Sequence, residues 1–324
     1  MIKNIILLIV VVFFAMNMGA SGIAPSFAAA YGGRLIRKVP ALVLFSICVT
    51  LGAVTLGKNV TLTLGRGLLP QQMITANVAL IILASATLGL FLANVLKIPQ
   101  STSQVTVGAI VGAGLYFSHM NYAILFLKII PLWIVLPLLS YILTFLFYRN
   151  IYPPDHDNLH IYQKIFTNEK KLRFVSLIAS CYVAFAIGTN NVANAVGPLF
   201  GAGMIQILPG LLLVAPLFGI GAWVMGKGPL ETAGCEIVPL GMISSTLVAF
   251  VTATVLIIAS LAGIPQSLVQ LNIFSIFAIG CLKNGHKCTI DRHITRKTFA
   301  VWTLTPLLAM SISYSLLFLF SIGR

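Results

Sequence analysis

Long apolar runs recur along almost the whole chain, each close to the length that a helix needs to cross a membrane. A bilayer core about 30 Å thick takes roughly 20 apolar residues of helix, whereas a β-barrel would show short alternating segments. The predicted spans lie at about 39–57, 73–96, 121–148, 174–198, 207–226, 238–262 and 299–322. The pattern therefore predicts an all-α polytopic membrane protein, multi-pass in a prokaryotic plasma membrane.

The N-terminal 20 residues resemble a signal peptide, since Lys3 precedes a solid apolar run that ends in small residues. However, the rest of the chain is also apolar, and the residues that follow this run take part in a repeat described below. We interpret this segment as the first membrane helix, broken around Gly19–Pro25.

Two apolar tracts differ from ordinary spans. The tract at 98–115 begins with Pro99-Gln-Ser-Thr-Ser-Gln104 and continues with a short run rich in Gly and Val, and a similar tract covers 264–282. Irregular backbone at membrane depth is tolerated only where protein or a water-filled cavity covers it. Each tract therefore predicts a re-entrant helical hairpin.

Composition and charge agree with a membrane protein. The chain is 59% hydrophobic and 8% charged, with a mean hydropathy of +1.02, whereas soluble domains carry about 25% charged residues. The net charge of +14 follows from basic loops between spans, so it does not indicate nucleic-acid binding. Five scattered cysteines give no disulfide framework, and the stretch from Cys281 to His293 is interpreted as a basic loop rather than a metal site.

An internal repeat predicts the architecture. Gly19-Ala-Ser-Gly-Ile-Ala-Pro-Ser26 lies 169 positions before Gly188-Thr-Asn-Asn-Val-Ala-Asn-Ala195, and Ile98-Pro-Gln-Ser101 lies 166 positions before Ile264-Pro-Gln-Ser267. Between them Gly57-Lys58 matches Gly226-Lys227, again 169 positions apart. Three blocks in the same order predict two homologous halves, 1–148 and 174–324, joined by a hydrophilic linker at 149–173. The spacing leaves open whether the halves are inverted or parallel.

Neutral polar side chains gather at the predicted breaks and hairpins. Transporters built from duplicated halves bind substrate at such broken helices, whose N-termini point backbone N–H groups at anions. The candidate substrate-binding residues are Ser21, Ser101, Thr102, Ser103, Gln104, Asn190, Asn191, Asn194, Ser267 and Gln270. A small tetrahedral oxyanion suits these donors, although the asparagines could instead only join neighbouring helices.

With these motifs the chain resembles the inorganic phosphate transporter family, over essentially its full length. The family carries a Gly-Ala-Asn-Asp-Val-Ala-Asn-Ala motif in each half and a Pro-x-Ser-Thr pattern in its hairpins. Here Asn191 and Gly22 stand at the two Asp positions. The pattern is most similar to the bacterial sulfate permease branch of that family.

The missing aspartates bear on substrate and coupling ion. Phosphate at neutral pH still carries a proton, so a carboxylate can accept a hydrogen bond from it. Sulfate carries no proton, and a carboxylate would only repel it. We therefore expect sulfate, with phosphate or another oxyanion as the alternative. Sodium coupling in the family draws on the same motif, so we expect proton symport, with Na⁺ as the alternative and Glu231 as the hypothetical proton carrier. An interfacial Glu231 near Lys227 is the competing interpretation.

Two other classes remain open. An anion channel would also use duplicated halves, but its flux would ignore ion gradients. An intramembrane enzyme would need a nucleophile with its base, and no Ser-His or His-Glu spacing in the spans provides one. We expect a permease rather than an enzyme, with no cofactor. The sequence leaves a homo-oligomer open.

Overall fold

The structure, a computed structural model, describes residues 2–95, 100–153, 159, 163, 167–226, 241–285 and 293–320. Every regular element within these ranges is helical. Seven of the helices are long and apolar enough to cross a membrane. The predicted fold class, an all-helical polytopic membrane protein, is therefore confirmed.

The described residues of the first half form six α-helices. They are α1 (Ile2–Gly32), α2 (Lys38–Leu56), α3 (Lys58–Leu62), α4 (Ala76–Val95), α5 (Thr102–Phe117) and α6 (Ile130–Arg149). A turn of π-helix at Thr63–Gly67 continues α3, and another at Ile124–Ile129 precedes α6.

The second half follows a similar order. Its helices are α7 (Glu169–Asn191), α8 (Ala193–Gly201), α9 (Ile207–Met225), α10 (Met242–Leu261), α11 (Leu268–Asn284) and α12 (His293–Leu319). The spans predicted from apolar runs all coincide with helices, because the thickness of the bilayer sets the length of both.

The predicted break in the first helix is not found, since α1 continues through Pro25 as one helix. The hydroxyls of Ser21 and Ser26 donate to the carbonyls of Met18 and Gly22 on the same helix. Such bonds help a membrane helix to tolerate proline. In the second half the break is reduced to Val192, which keeps helical dihedral angles (φ −62°, ψ −32°) between α7 and α8.

The two hairpins are larger than the tracts that predicted them. Residues Thr102–Phe117 form one helix, α5, which packs against α4. Helices α10 and α11 pack together in the same way in the second half. The Pro-Gln-Ser segments therefore belong to the tips between two helices, although Pro99 itself lies outside the described residues.

The two halves interlock rather than standing side by side. Helix α1 packs against α9, α2 against α7, α5 against α12, and α6 against α11. Each of these pairs joins a helix of one half to a helix of the other. Separate halves meeting at one flat surface would not give this packing.

Glycines allow the closest of these contacts. A Cβ atom on Gly19 would overlap the backbone of Phe218, and one on Gly188 would overlap the carbonyl of Val49. These two contacts are related by the 169-residue offset of the sequence motifs, which is what a two-fold relation between the halves would produce. The duplication and its division at 149–173 stay predictions. Small residues at such crossings let membrane helices approach closely.

Candidate functional site

The two hairpin tips have the same local structure. Ser101 caps α5 and Ser267 caps α11, and each hydroxyl accepts a hydrogen bond of 3.2 Å from the backbone N–H three residues later, in Gln104 and Gln270. An N-cap satisfies one of the free N–H groups at a helix start, and the others give that end a partial positive charge. Two positive helix ends are therefore brought to the centre of the protein.

A small pocket lies where these tips meet α1 and α7. Its lining residues are Ser21, Gly22, Pro25, Gln100, Ser101, Thr102, Ile187, Asn191, Ser267, Leu268 and Val269. Both halves contribute, and none of these side chains is charged. The space open to the centre of a water molecule is about 20 Å³, which is room for about one water. The pocket is therefore closed to an anion with four oxygens, which fits only if the helices around it move apart.

The predicted site residues divide into two groups. Those that line the pocket are Ser21, Ser101, Thr102, Asn191 and Ser267, and those that lie beside it without lining it are Ser103, Gln104, Asn190, Asn194 and Gln270. Apart from Ser21, which is partly buried, all of these side chains are buried. Glu231, the hypothetical proton carrier, lies outside the described residues.

Asn190 joins three elements and has no group left for a ligand. Its Nδ2 donates to the Ser260 hydroxyl and to the carbonyl of Ile264, both at 2.9 Å. Its Oδ1 accepts from the backbone N–H of Gln266 at 3.0 Å and from the Ser103 hydroxyl at 3.4 Å. Because all four bonds are internal, the role that the structure gives Asn190 is to attach α7 to α10 and to both hairpin tips.

Asn194 makes a related contact with the first tip. Its Nδ2 donates to Ser103 Oγ at 3.2 Å and to Thr102 Oγ1 at 3.4 Å. The single proton of the Ser103 hydroxyl is shared between two acceptors, the carbonyl of Gln266 at 3.1 Å and Oδ1 of Asn190 at 3.4 Å. Ser103 therefore connects the first hairpin to the second.

Several buried amide groups near the pocket lack a hydrogen-bond partner. They are Oε1 of Gln100, Gln104 and Gln270, Oδ1 of Asn191 and Asn194, and both polar atoms of Gln266. Buried polar groups in proteins are nearly always paired, so such a cluster indicates a place where a ligand or water binds. A carboxamide that rotates about its last torsion presents either its oxygen or its NH₂ group, and the NH₂ groups are the ones that suit an anion.

A family model described as the phosphate transporter family matches residues 18–313. The chain belongs to the phosphate transporter family. Membership and the seven apolar helices establish a multi-pass transporter of the plasma membrane.

Relatives with named activities agree with this assignment. A sulfate permease, CysP, of Bacillus subtilis is 39% identical over 95% of this chain and 85% of its own. A putative phosphate permease of Thermococcus kodakarensis is 27% identical over 95% of this chain and 96% of its own. A solved sodium-dependent phosphate transporter superposes with a TM-score of 0.86 over the full length of both chains at 22% identity, which shows a shared fold.

Within this phosphate transporter family member, sequence reasoning missed part of the pocket. Gln100 lines the pocket, and Gln266, at the matching place in the second Pro-Gln-Ser segment, is buried outside the lining; neither was predicted as a site residue. The sequence pattern could have predicted both glutamines, since they are neutral polar residues at the same position of the repeated hairpin. Pro25, Ile187, Leu268 and Val269 carry no such signal, because they are apolar residues among many others.

Proposed function

We propose that this transporter imports sulfate by proton symport. The observation that carries the proposal is the place of the two positions where the family motif has aspartate. Gly22 and Asn191 come from different halves, yet both line the same closed pocket. The pocket therefore has no carboxylate at either position, and it is faced by two helix N-termini.

The chemistry of this lining favours an anion without a proton. Sulfate at neutral pH only accepts hydrogen bonds, so hydroxyls, amide NH₂ groups and backbone N–H groups are suitable partners. Hydrogen phosphate also donates a bond, which a carboxylate accepts well. Specificity is a difference between two affinities, and removing the carboxylate shifts that difference toward sulfate. The sulfate permease among the relatives supports the same substrate.

Uptake by purified protein in proteoliposomes tests the substrate. We expect accumulation of labelled sulfate, with unlabelled phosphate a weak competitor. Liposomes without protein and liposomes containing the Gly22→Asp variant are the controls. Accumulation of labelled phosphate with no uptake of sulfate would reject the substrate proposal while leaving the fold and the pocket unaffected.

The same vesicles test the coupling ion. With an inwardly directed proton gradient and no Na⁺, we expect sulfate to accumulate above its external concentration, and collapse of the gradient should release it. A requirement for Na⁺ would contradict proton coupling, and flux that ignores both gradients would indicate a channel. Glu231→Gln tests the hypothetical carrier, since an unchanged pH dependence of uptake removes Glu231 from the mechanism.

A further inference from the structure

A pair of thiols lies outside the pocket, where α2 of the first half packs against α7 of the second. The side chains of Cys48 and Cys181 interact with each other. Both thiols are free, and both side chains are partly buried. Neither cysteine lines the pocket, and the transport mechanism proposed above uses neither of them.

Two glycines allow the backbones of α2 and α7 to approach closely beside this pair. A Cβ atom on Gly52 would overlap the carbonyl of Phe185, and one on Gly188 would overlap the carbonyl of Val49. Cys48 lies one helical turn before Gly52, and Cys181 lies one turn before Phe185. A disulfide needs Cα atoms about 4.4–6.8 Å apart. Further along, a Cβ atom on Gly65 would overlap the carbonyl of Gly197, so the two segments run parallel and the register that pairs Gly52 with Phe185 also pairs Cys48 with Cys181. Thiols paired beside so close an approach of the backbones are suited to closing as a disulfide.

The pair can be reached from the lipid. On α2 the neighbours Ile47 and Leu51 are 50% and 54% exposed, and on α7 Ile178 is 44% exposed. These apolar side chains face outward, toward the acyl chains. Partly exposed thiols beside them are accessible to a reagent dissolved in the bilayer, whereas the fully buried side chains around the pocket are not.

The α2–α7 contact also differs from the contact on the other side of α7. Helix α7 is joined to α10 by hydroxyl pairs, Ser176 with Thr246 at 2.6 Å and Thr189 with Ser260 at 2.9 Å. Among the residues that the structure describes on α2 and α7, no hydroxyl or amide side chain of one helix is hydrogen-bonded to the other. When the closed pocket opens, α7 is therefore expected to move together with α10 and to shift against α2.

We propose that Cys48 and Cys181 form an intramembrane dithiol that a lipid-soluble quinone closes to a disulfide, which arrests transport. The two S–H bonds break and one S–S bond forms. Two electrons and two protons pass to the quinone, which becomes the quinol. The disulfide fixes α7, which carries Asn190 and Asn191, against α2. The arrest of transport rests on the function proposed above, but formation of the disulfide does not.

Intact-protein mass and uptake together test the proposal. The protein is prepared with Cys235, Cys281 and Cys288 replaced by alanine, reconstituted, treated with 2,3-dimethoxy-5-methyl-6-decyl-1,4-benzoquinone, whose ring has no free position for thiol addition, and then alkylated. We expect a mass lower by two hydrogens and no alkylation at Cys48 or Cys181. We also expect sulfate uptake to fall by about tenfold, because the moving helix is held, and to recover after treatment with a membrane-permeable thiol reductant.

Single variants are the matched controls. Cys48→Ala and Cys181→Ala in the same background should each keep full uptake after quinone treatment. Alkylation of both thiols after treatment would overturn the dithiol, and a complete disulfide with unchanged uptake would overturn the arrest. If untreated protein takes up no sulfate, the substrate proposal fails, but the mass measurement still decides whether the disulfide forms.

Discussion

Helices α1 and α7 bring corresponding segments of the two halves to one pocket, yet they use their polar groups in opposite ways. In α1, Ser21 and Ser26 donate to carbonyls of their own helix. In α7, Asn190 bonds outward to α10 and to the tips of both hairpins. Helix α1 thus supplies a continuous helix with an opening at Gly22, and α7 supplies hydrogen bonds that hold the neighbouring elements together.

This difference shows that two matching sequence motifs can have different structural roles. Gly22 leaves space, because a Cβ atom there would meet only the ends of Phe45 and Ile187, at 3.3 and 3.4 Å. Asn191 at the matching position fills space and leaves its Oδ1 without a partner. A substrate between them would therefore contact the backbone and hydroxyls of one half and a side-chain amide of the other.

The largest effect is expected from Asn190→Ala, which removes four internal hydrogen bonds. Leaving buried partners unpaired costs about 1–3 kcal/mol for each group, so we expect a loss of about 3 kcal/mol or more. The measurement is the thermal unfolding midpoint in detergent, together with the yield of folded protein.

Asn191→Ala is the matched control for this prediction. Its Oδ1 has no partner to lose, so the midpoint should stay close to that of the parent while sulfate affinity falls. A stable Asn190→Ala protein with impaired affinity alone would mean that Asn190 contacts the substrate instead of holding the helices.

The next effect is expected from Gly22→Asp, which places a carboxylate in the pocket. Two unit charges of like sign about 5 Å apart repel by roughly 3 kcal/mol at an effective dielectric constant of 20, and sulfate carries two, so sulfate uptake should fall by at least about 100-fold. Phe45 and Ile187 can yield by a few tenths of an ångström to admit the side chain.

The Gly22→Asn variant separates the effect of the added charge on uptake from the effect of the added volume. It has nearly the same volume as aspartate but no charge, so it should keep more sulfate uptake, measured at equal protein density in proteoliposomes. Equal loss in both variants would show that Gly22 matters only for the space it leaves.

The helices were predictable from the sequence because the bilayer sets their length, but the separate roles of the asparagines were not. Asn190 and Asn191 are adjacent, and a rotation of about 100° along the helix turns one toward α10 and the other toward the pocket. Which side faces the pocket depends on the packing of α7 against α2 and α10. The same limit explains the first helix, where Gly19 and Pro25 look like breakers but Gly19 serves the close contact with Phe218.

The two hairpin tips offer a smaller test of the same comparison. Ser101→Ala and Ser267→Ala each remove an N-cap, which costs about 1 kcal/mol, and each removes a hydroxyl from the pocket. We expect a small drop in the unfolding midpoint and about tenfold weaker sulfate binding, since about 1.4 kcal/mol corresponds to tenfold.

Threonine at the same positions is the control, because it keeps the capping hydroxyl and should keep stability. If only one of the two alanine variants weakens binding, then the tips contribute unequally despite their matching caps.

The smallest effect is expected from Ser21→Ala. The hydroxyl lines the pocket, but its proton is already donated to the carbonyl of Met18 at 3.0 Å, so it has no donor left for an anion while that bond persists. A side-chain hydrogen bond within one helix contributes about 0.5–1.5 kcal/mol, and Met18 keeps its place in the helix without it. We therefore expect sulfate affinity within about threefold of the parent, measured by uptake at several sulfate concentrations. A loss as large as that of Asn191→Ala would mean that the Ser21 hydroxyl turns to the substrate when the pocket opens. The first half would then supply a donor as well as space, and the contrast between α1 and α7 would hold only for the closed state.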